Sequence, residues 1–197
     1  FTRHLKSVPT MMANVGSLLK LFGGGTYKPS ETFLEILTPE DKRYAVTFDS
    51  VMIGNGTLAK KTLVWKKHYI KSGDCPMYYM RVAQMYLIKA EAMARTNASI
   101  KDCIDVLNVL RERSGNTLFD ETNYSSLTEV LEEVFRENVR ELGMENGGIF
   151  YLTVRYNEGG HRKLKDMNPN FQSDDQLCFP IPRAELEHNS KAEQKPM

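Results

Sequence analysis

The sequence has no long hydrophobic run, which argues against a membrane-spanning helix. Such a helix needs about 20 consecutive apolar residues, and no segment of this 197-residue chain approaches that length. The first residues, Phe1 to Lys6, also lack the apolar centre that a secretory signal peptide requires.

Cysteine is scarce as well, and the three present, Cys75, Cys103 and Cys178, are odd in number. Their spacing fits no zinc motif, so neither a disulfide framework nor a structural zinc site is expected. Cys103 falls in a helical apolar pattern and is predicted to be a small buried hydrophobe. The histidines are isolated from one another, and no P-loop, Rossmann or nucleophile-elbow pattern occurs, so no metal or other cofactor is predicted.

Net charge is also nearly absent. The 26 Lys and Arg residues almost balance the 25 Asp and Glu residues, leaving a formal charge of +1. A nucleic-acid binder usually carries a basic face or stripe, so no nucleic-acid partner is expected. An apolar content of 41% with 26% charged residues is ordinary for a soluble globular domain with one substantial core.

Three glycines, Gly23 to Gly25, end a possible helix near the beginning of the chain, because three flexible residues lose too much entropy on ordering. We therefore take residues 1–29 as an N-terminal helix and linker that enter from a missing upstream part, and residues 30–197 as the domain. The absence of an initiator methionine at Phe1 supports the expectation that the chain is a fragment of a longer protein.

Helical periodicity is strongest in the middle of the chain. Apolar residues recur at helical spacing between Met80 and Thr96, and again after Ser99, which is a typical N-cap. The two segments predict an antiparallel helical pair similar to one tetratricopeptide unit. A third helix is predicted to start at Ser126, in a capping box with Glu129, and to stop at Gly143 or soon after.

Shorter elements flank these helices. A short helix capped by Ser30 and a second one beginning at Thr38 are predicted, followed by two strands over residues 45–53 and 57–70 that turn at Gly54 to Gly56. Near the end of the chain, Pro182 is predicted to open a helix that continues to His188 and stops at Asn189. We expect this tail to dock on the domain.

Paired carboxylates on the third predicted helix raise the possibility of acid–base chemistry. Glu133, Glu137 and Glu141 lie four residues apart, and Arg136 and Arg140 form an adjoining row. A glycosidase uses two carboxylates as acid and base. Carboxylates at this spacing are much more common in surface ion pairs, so the sequence does not predict an enzyme.

Four segments together resemble the SusD/RagB family. They are RVAQMYLIKAEA at residues 81–92, LNVLRERSG at 107–115, ENVRELGMENG at 137–147 and FPIPRAELEHN at 179–189. In this order and spacing they are similar to the C-terminal half of these surface glycan-binding lipoproteins of Bacteroidetes. The resemblance implies a mainly α fold with tetratricopeptide-like helical pairs and a small β-hairpin.

The resemblance also implies a function and a set of structural residues. The expected function is non-catalytic capture of a glycan at the outer-membrane surface, in partnership with a SusC-like TonB-dependent transporter, with a lipid anchor upstream of this chain. The resemblance further implies that charged side chains of this sequence form an ion-pair lattice that joins the last helices to the rest of the domain. The expected members are Arg81, Glu91, Arg111, Arg113, Glu137 and Glu141.

A sugar site requires flat aromatic faces that stack on the C–H side of pyranose rings. Trp65, Tyr69 and Tyr156 are the candidate ligand-binding residues, although aromatic residues in such positions more often pack in the core or the hairpin. The alternative function is a helical-repeat module that binds a protein segment and no glycan.

Overall fold

The computed structural model describes residues 29–53, 56–67, 79–143, 145, 148–157, 163–167, 170–173, 177 and 180–194. Over these ranges the chain is mostly α-helical and contains one two-stranded antiparallel sheet, which confirms the predicted fold class. None of the helices in these ranges combines the length and the apolar character that a membrane crossing requires. The chain divides into two compact units, residues 1–149 and residues 150–197.

The described part of the first unit begins with two short helices, α1 (Glu31–Ile36) and α2 (Tyr44–Thr47). Ser30 caps α1 as predicted, because its Oγ accepts a hydrogen bond from the Phe33 N–H at 3.2 Å. The helix predicted to begin at Thr38 is wrong. The residues there form turns, since the Asp41 side chain accepts the Arg43 N–H at 2.9 Å and holds the backbone in a tight bend.

The predicted hairpin is present with shorter strands, β1 (Phe48–Ile53) and β2 (Lys60–Trp65). Their antiparallel register pairs Phe48 with Trp65 at the base and Ile53 with Lys60 at the far end. Gly56 has a positive φ of 56° and starts a 3-10 turn, Gly56–Leu58, that leads into β2. Gly54 and Asn55, also part of the predicted turn, lie outside the described residues.

Three longer helices form the body of this unit: α3 (Val82–Arg95), α4 (Ile100–Ser114) and α5 (Leu127–Leu142). The helix α3 packs against both α4 and α5. A short 3-10 turn, Glu121–Asn123, lies between α4 and α5. The antiparallel pair and the third helix therefore match the sequence prediction closely.

Two predicted N-caps, Ser99 and Ser126, fix where α4 and α5 begin. Ser99 accepts the Asp102 N–H at 3.1 Å, and Ser126 accepts the Glu129 N–H at 3.3 Å. Gly115 ends α4 with a φ of 68°, in the left-handed conformation that glycine adopts without strain. The interior between the helices is apolar and almost dry, with these side chains at most 2% exposed: Ala83, Leu87, Ala90, Cys103, Ile104, Leu107, Leu110, Val130, Val134, Phe135 and Val139.

The helix α6 (Gly148–Tyr156) runs across the point at which the two units divide. In the second unit it is followed by α7 (Lys163–Met167) and α8 (Arg183–His188). The helix α8 confirms the predicted tail helix, with Pro182 as its N-cap and Asn189 as its C-cap. The Ile181 N–H donates to the Gln194 side chain at 2.8 Å, which closes the tail on itself. Docking of the tail stays a prediction.

Candidate functional site

The most unusual feature of the first unit is a row of buried carboxylates along α5. Glu133, Glu137 and Glu141 follow at intervals of four residues and so lie on one side of the helix. Glu145 continues the row beyond the helix end. Glu137, Glu141 and Glu145 are 0%, 4% and 8% exposed, so each needs a compensating cation, because an unpaired buried charge is very costly.

Arg43 is the central cation of this network. Its guanidinium makes a two-point contact with Asp41, from Nε to Oδ1 at 2.9 Å and from Nη2 to Oδ2 at 2.7 Å. Nη1 donates to Glu137 Oε1 at 2.7 Å and to Glu141 Oε2 at 3.0 Å. One planar side chain thus joins the turn before α2 to two successive carboxylates on α5, a geometry that suits arginine and not lysine.

Glu141 collects cations from three separate parts of the chain. Besides Arg43, it accepts hydrogen bonds from Arg81 at the start of α3 and from Arg113 near the end of α4. Both of these bonds reach the same oxygen, Oε1, at 2.5 Å. The carboxylate therefore links the hairpin side of the unit to both helices of the pair.

Two further arginines close the opposite end of the network. Arg140 pairs with Glu133 at 2.6 Å and with Glu137 at 3.1 Å, and its Nε donates to the carbonyl of Ile36 at 2.9 Å. Arg111 lies 3.7 Å from Glu137 and stacks on Phe119, with the guanidinium carbon 4.3 Å from the ring centre. This stacking compensates in part for its burial, which lowers its pKa.

These contacts decide the protonation of the acids. Burial acts to raise the pKa of Asp41 and of Glu141, but hydrogen bonds outweigh it and lower both pKa values to about 2. The bonds come from Arg43 to Asp41, and from Arg113 and Arg81 to Glu141. A general acid must hold its proton near neutral pH. Glu141 is charged there and saturated by arginines, so its geometry suits a structural anchor.

Most of the lattice predicted from the sequence is present. Arg81, Arg111, Arg113, Glu137 and Glu141 all belong to the network described above. The sixth predicted member, Glu91, is also buried, and its carboxylate accepts a hydrogen bond from Arg95 one turn along α3 at 2.9 Å.

Sequence reasoning missed other members, chiefly Arg43, Lys67, Arg140 and Glu145. The spacing of Asp41 and Arg43, two residues apart in an acidic turn, was the only local signal for the central arginine. Lys67 carried none, since it stands in a run of exposed lysines such as Lys60 and Lys66. Its Nζ nevertheless reaches the carbonyl of Glu141 at 2.6 Å.

The three candidate sugar-stacking residues lie in different settings. Trp65 packs at the base of the hairpin, with its ring centre 4.6 Å from that of Phe33 and 4.8 Å from that of Phe48. Tyr69 lies outside the described residues. Tyr156 is 0% exposed at the end of α6, in the second unit. Trp65 belongs to the first unit and Tyr156 to the second, and a ligand-binding role for all three stays a prediction.

Gly143 explains how α1 reaches the end of α5. A Cβ added at this position would lie 2.7 Å from Phe33 Cζ and 2.7 Å from the carbonyl oxygen of Val139. Only glycine therefore lets the Phe33 ring approach the chain so closely, and Phe33 in turn contacts Trp65. Among the described residues, no group of three or more His, Cys, Asp and Glu side chains is arranged so that it could hold a metal ion.

Comparisons with known proteins agree with this architecture. The sequence model of the SusD family matches residues 45–197, so the chain belongs to the SusD family. No curated protein sequence gives a significant match.

Two solved structures are similar in fold. A SusD superfamily protein from Bacteroides fragilis is 19% identical, with a TM-score of 0.60 over 87% of this chain and 40% of its own. A SusD-like carbohydrate binding protein from Bacteroides vulgatus is 23% identical, with a TM-score of 0.50 over 62% of this chain and 28% of its own. The chain thus spans less than half the length of either protein.

Proposed function

We propose that this chain is part of a non-catalytic glycan-binding lipoprotein at the surface of the outer membrane. It captures an oligosaccharide or polysaccharide and passes it to a SusC-like TonB-dependent transporter. The lipid anchor belongs to a region upstream of residue 1, and residues 30–197 form the C-terminal domain. No catalytic residue and no cofactor take part.

Family membership over residues 45–197 is the observation that carries this proposal. A similar fold is found in a protein described as SusD-like and carbohydrate binding. The ion-pair network also argues against Glu137 and Glu141 as a catalytic acid and base, because both carboxylates are paired with arginines. Both side chains are buried, and their oxygens accept hydrogen bonds from arginines, so neither is placed to contact a glycosidic bond as acid or base.

The direct test is glycan binding by the complete protein, meaning this chain together with any upstream region of its natural polypeptide. Saturable binding to at least one soluble glycan in a broad panel, measured by isothermal titration calorimetry, is expected. Absence of binding across the panel would contradict the proposal. Release of reducing ends from a bound glycan would contradict its non-catalytic part.

Three variants then test the candidate residues. Tyr69→Ala removes a complete aromatic face, whereas Trp65→Phe and Tyr156→Phe change the ring while retaining its packing. Tyr69→Ala is expected to weaken glycan binding most, because the stacking face is lost, and Trp65→Phe is expected to weaken it less, because a smaller face remains. Tyr156→Phe keeps the face and tests the contribution of the hydroxyl alone. Tyr151→Ala is the matched control, since Tyr151 is 68% exposed and is not among the three candidates. If the three candidate variants bound the glycan with the same affinity as the natural protein and the Tyr151→Ala control, Trp65, Tyr69 and Tyr156 would be excluded from the site.

The alternative, a protein-binding helical module, has one specific observation in its favour. Three apolar side chains at intervals of three residues on α3, Val82, Met85 and Ile88, are 71%, 41% and 49% exposed. Exposed apolar stripes often mark protein contacts. Copurification with a soluble protein, combined with no glycan binding and no associated transporter, would favour this function over glycan capture.

A further inference from the structure

The connection between β2 and α3 begins and ends on the same two acceptors. Lys67 Nζ donates to the Glu141 carbonyl at 2.6 Å and pairs with Glu145 Oε1 at 2.7 Å. Arg81 Nη2 donates to the same carbonyl at 2.6 Å and to the same carboxylate oxygen at 2.9 Å. Lys67 and Arg81, which flank the 13 residues 68–80 in the sequence, thus share the same two acceptors.

This arrangement places two cations side by side in a partly buried position. The Lys67 and Arg81 side chains are 20% and 23% exposed, and that of Glu145 is 7% exposed. Like charges that share an oxygen repel strongly where water is limited. Glu145 offsets this repulsion with a two-point contact to Arg81, which includes Nε to Oε2 at 2.8 Å.

No other carboxylate in the described network serves both cations with direct hydrogen bonds. The Glu141 carboxylate is occupied by Arg43 and Arg113 as well as by Arg81. Glu141 contributes to Lys67 through its backbone carbonyl, which carries only a partial charge.

We propose that Glu145 is a positioning residue that holds both ends of the 68–80 connection against the end of α5. Its single negative charge turns two mutually repelling cations into one bridged unit. Removal of that charge releases the end of β2 and the start of α3 together. The inference does not depend on glycan binding, since its test requires no ligand.

Two sets of backbone amides report on the two ends. The Lys66 and Lys67 N–H groups donate to the Thr47 carbonyl at 2.8 and 3.2 Å, and the Gln84 N–H donates to the Arg81 carbonyl at 2.9 Å. In Glu145→Gln, hydrogen exchange at both sets is expected to accelerate roughly tenfold, because local opening becomes easier. Exchange in the middle of α4, such as at Leu107, is expected to stay unchanged.

A second substitution makes the test specific for charge. In the otherwise natural protein, Lys67→Met removes an attraction to Glu145 and should accelerate exchange at Lys66 only. In the Glu145→Gln background, the same change removes a repulsion from Arg81, so exchange at Gln84 should slow. Glu133→Gln is the matched control, because Glu133 pairs with Arg140 and with neither Lys67 nor Arg81 among the ion pairs of the described residues. It should leave both ends of the connection unchanged.

The proposal is overturned if Glu145→Gln accelerates exchange at only one end, or if Lys67→Met accelerates Gln84 exchange further in that background. Should Glu145→Gln fail to fold, Glu145→Asp provides the same test. It retains the charge with a shorter reach and is expected to loosen both ends together, by less than tenfold. Loosening of one end alone in Glu145→Asp would equally contradict the proposal.

Discussion

The two ends of the buried face of α5 are held by opposite kinds of interaction. Towards the start of the helix this face is apolar and lies in the interior shared with the helical pair, with Val130 and Val134 each 0% exposed. Seven residues further along the same face lie Glu137 and Glu141, which are as well buried but are joined to arginines from distant parts of the chain. A single helix face thus belongs to a hydrophobic core at one end and to a charged one at the other.

The apolar and the charged ends of this face differ in how they respond to substitution. Apolar contacts are non-directional, so their loss scales with the area and the cavity left behind. A buried ion network behaves otherwise, because removal of one partner leaves another charge without compensation. We therefore expect the charged end of α5 to be less tolerant of conservative substitutions than the apolar end. Its net contribution to stability is nevertheless smaller than its many contacts suggest.

The largest effect is expected for Glu137→Gln. This nearly isosteric change removes the charge that Arg43 and Arg140 contact at 2.7 and 3.1 Å. The free energy of unfolding, measured in urea, should fall by about 3 to 5 kcal/mol. Urea is preferred to guanidinium chloride because it does not screen charges.

The control for this change is Glu112→Gln, at an exposed position near the end of α4. It should leave the unfolding transition unchanged. If the two substitutions had equal effects, the buried network would have no special weight in stability.

Leu107→Ala tests the apolar side of the comparison. Leu107 is 0% exposed in α4, and its truncation should cost about 2 to 5 kcal/mol through lost burial and a residual cavity. Because no titratable group changes, the loss should be the same at pH 7 and pH 5. A loss that depended strongly on pH in this range would show that the apolar core and the ion network are not separable.

Low pH should reduce the stability that the buried ion network contributes and should leave the contribution of the apolar core unchanged. Asp41 and Glu141 have pKa values of about 2 in the folded protein, below ordinary values of 3.8 and 4.5. The unfolded chain therefore takes up protons first as the pH falls. Their stabilisation is complete above about pH 4.5 and is lost towards pH 2, on the order of 2 kcal/mol for each carboxylate.

Urea unfolding at pH 5.5, 4 and 3 measures this slope. The double variant Asp41→Asn with Glu141→Gln should start less stable and should show a flatter dependence on pH. An unchanged slope would mean that other carboxylates dominate acid unfolding.

The smallest effect is expected at an exposed ion pair. Lys101 and Asp105 lie 2.5 Å apart on α4, with side chains 62% and 54% exposed. Because solvent screens such pairs, Asp105→Asn should leave the melting temperature unchanged. A clear drop would show that short surface contacts in this protein matter as much as buried ones.

Local patterns were sufficient to predict the helical body. The apolar period of 3.6 residues located α3, α4 and α5, and the hydroxyls of Ser99 and Ser126 marked two of the starts. The same kind of signal identified the hairpin and the tail helix that begins at Arg183. These features depend on neighbours within a few residues, which a sequence displays directly.

The ion network of α5 was harder to predict, because the residues that pair in it are far apart in the sequence. Arg43 and Glu137 are separated by 94 positions, and nothing local pairs them. The failed prediction of a helix at Thr38 has a related origin, since the Asp41 carboxylate holds Arg43 in a tight bend and nothing in the local pattern shows this. The candidate sugar-stacking residues depend on which rings share a surface, and the hairpin packing of Trp65 was one of two open alternatives.

A double-mutant cycle on Arg43 and Glu137 tests the central claim, that a buried ion network joins the turn before α2 to the helix α5. Arg43→Met, Glu137→Gln and the double variant would be compared by urea unfolding. We predict that the two losses are strongly non-additive, with a coupling free energy of about 2 kcal/mol or more. Strict additivity would contradict the account, because it would mean that the two charges act independently.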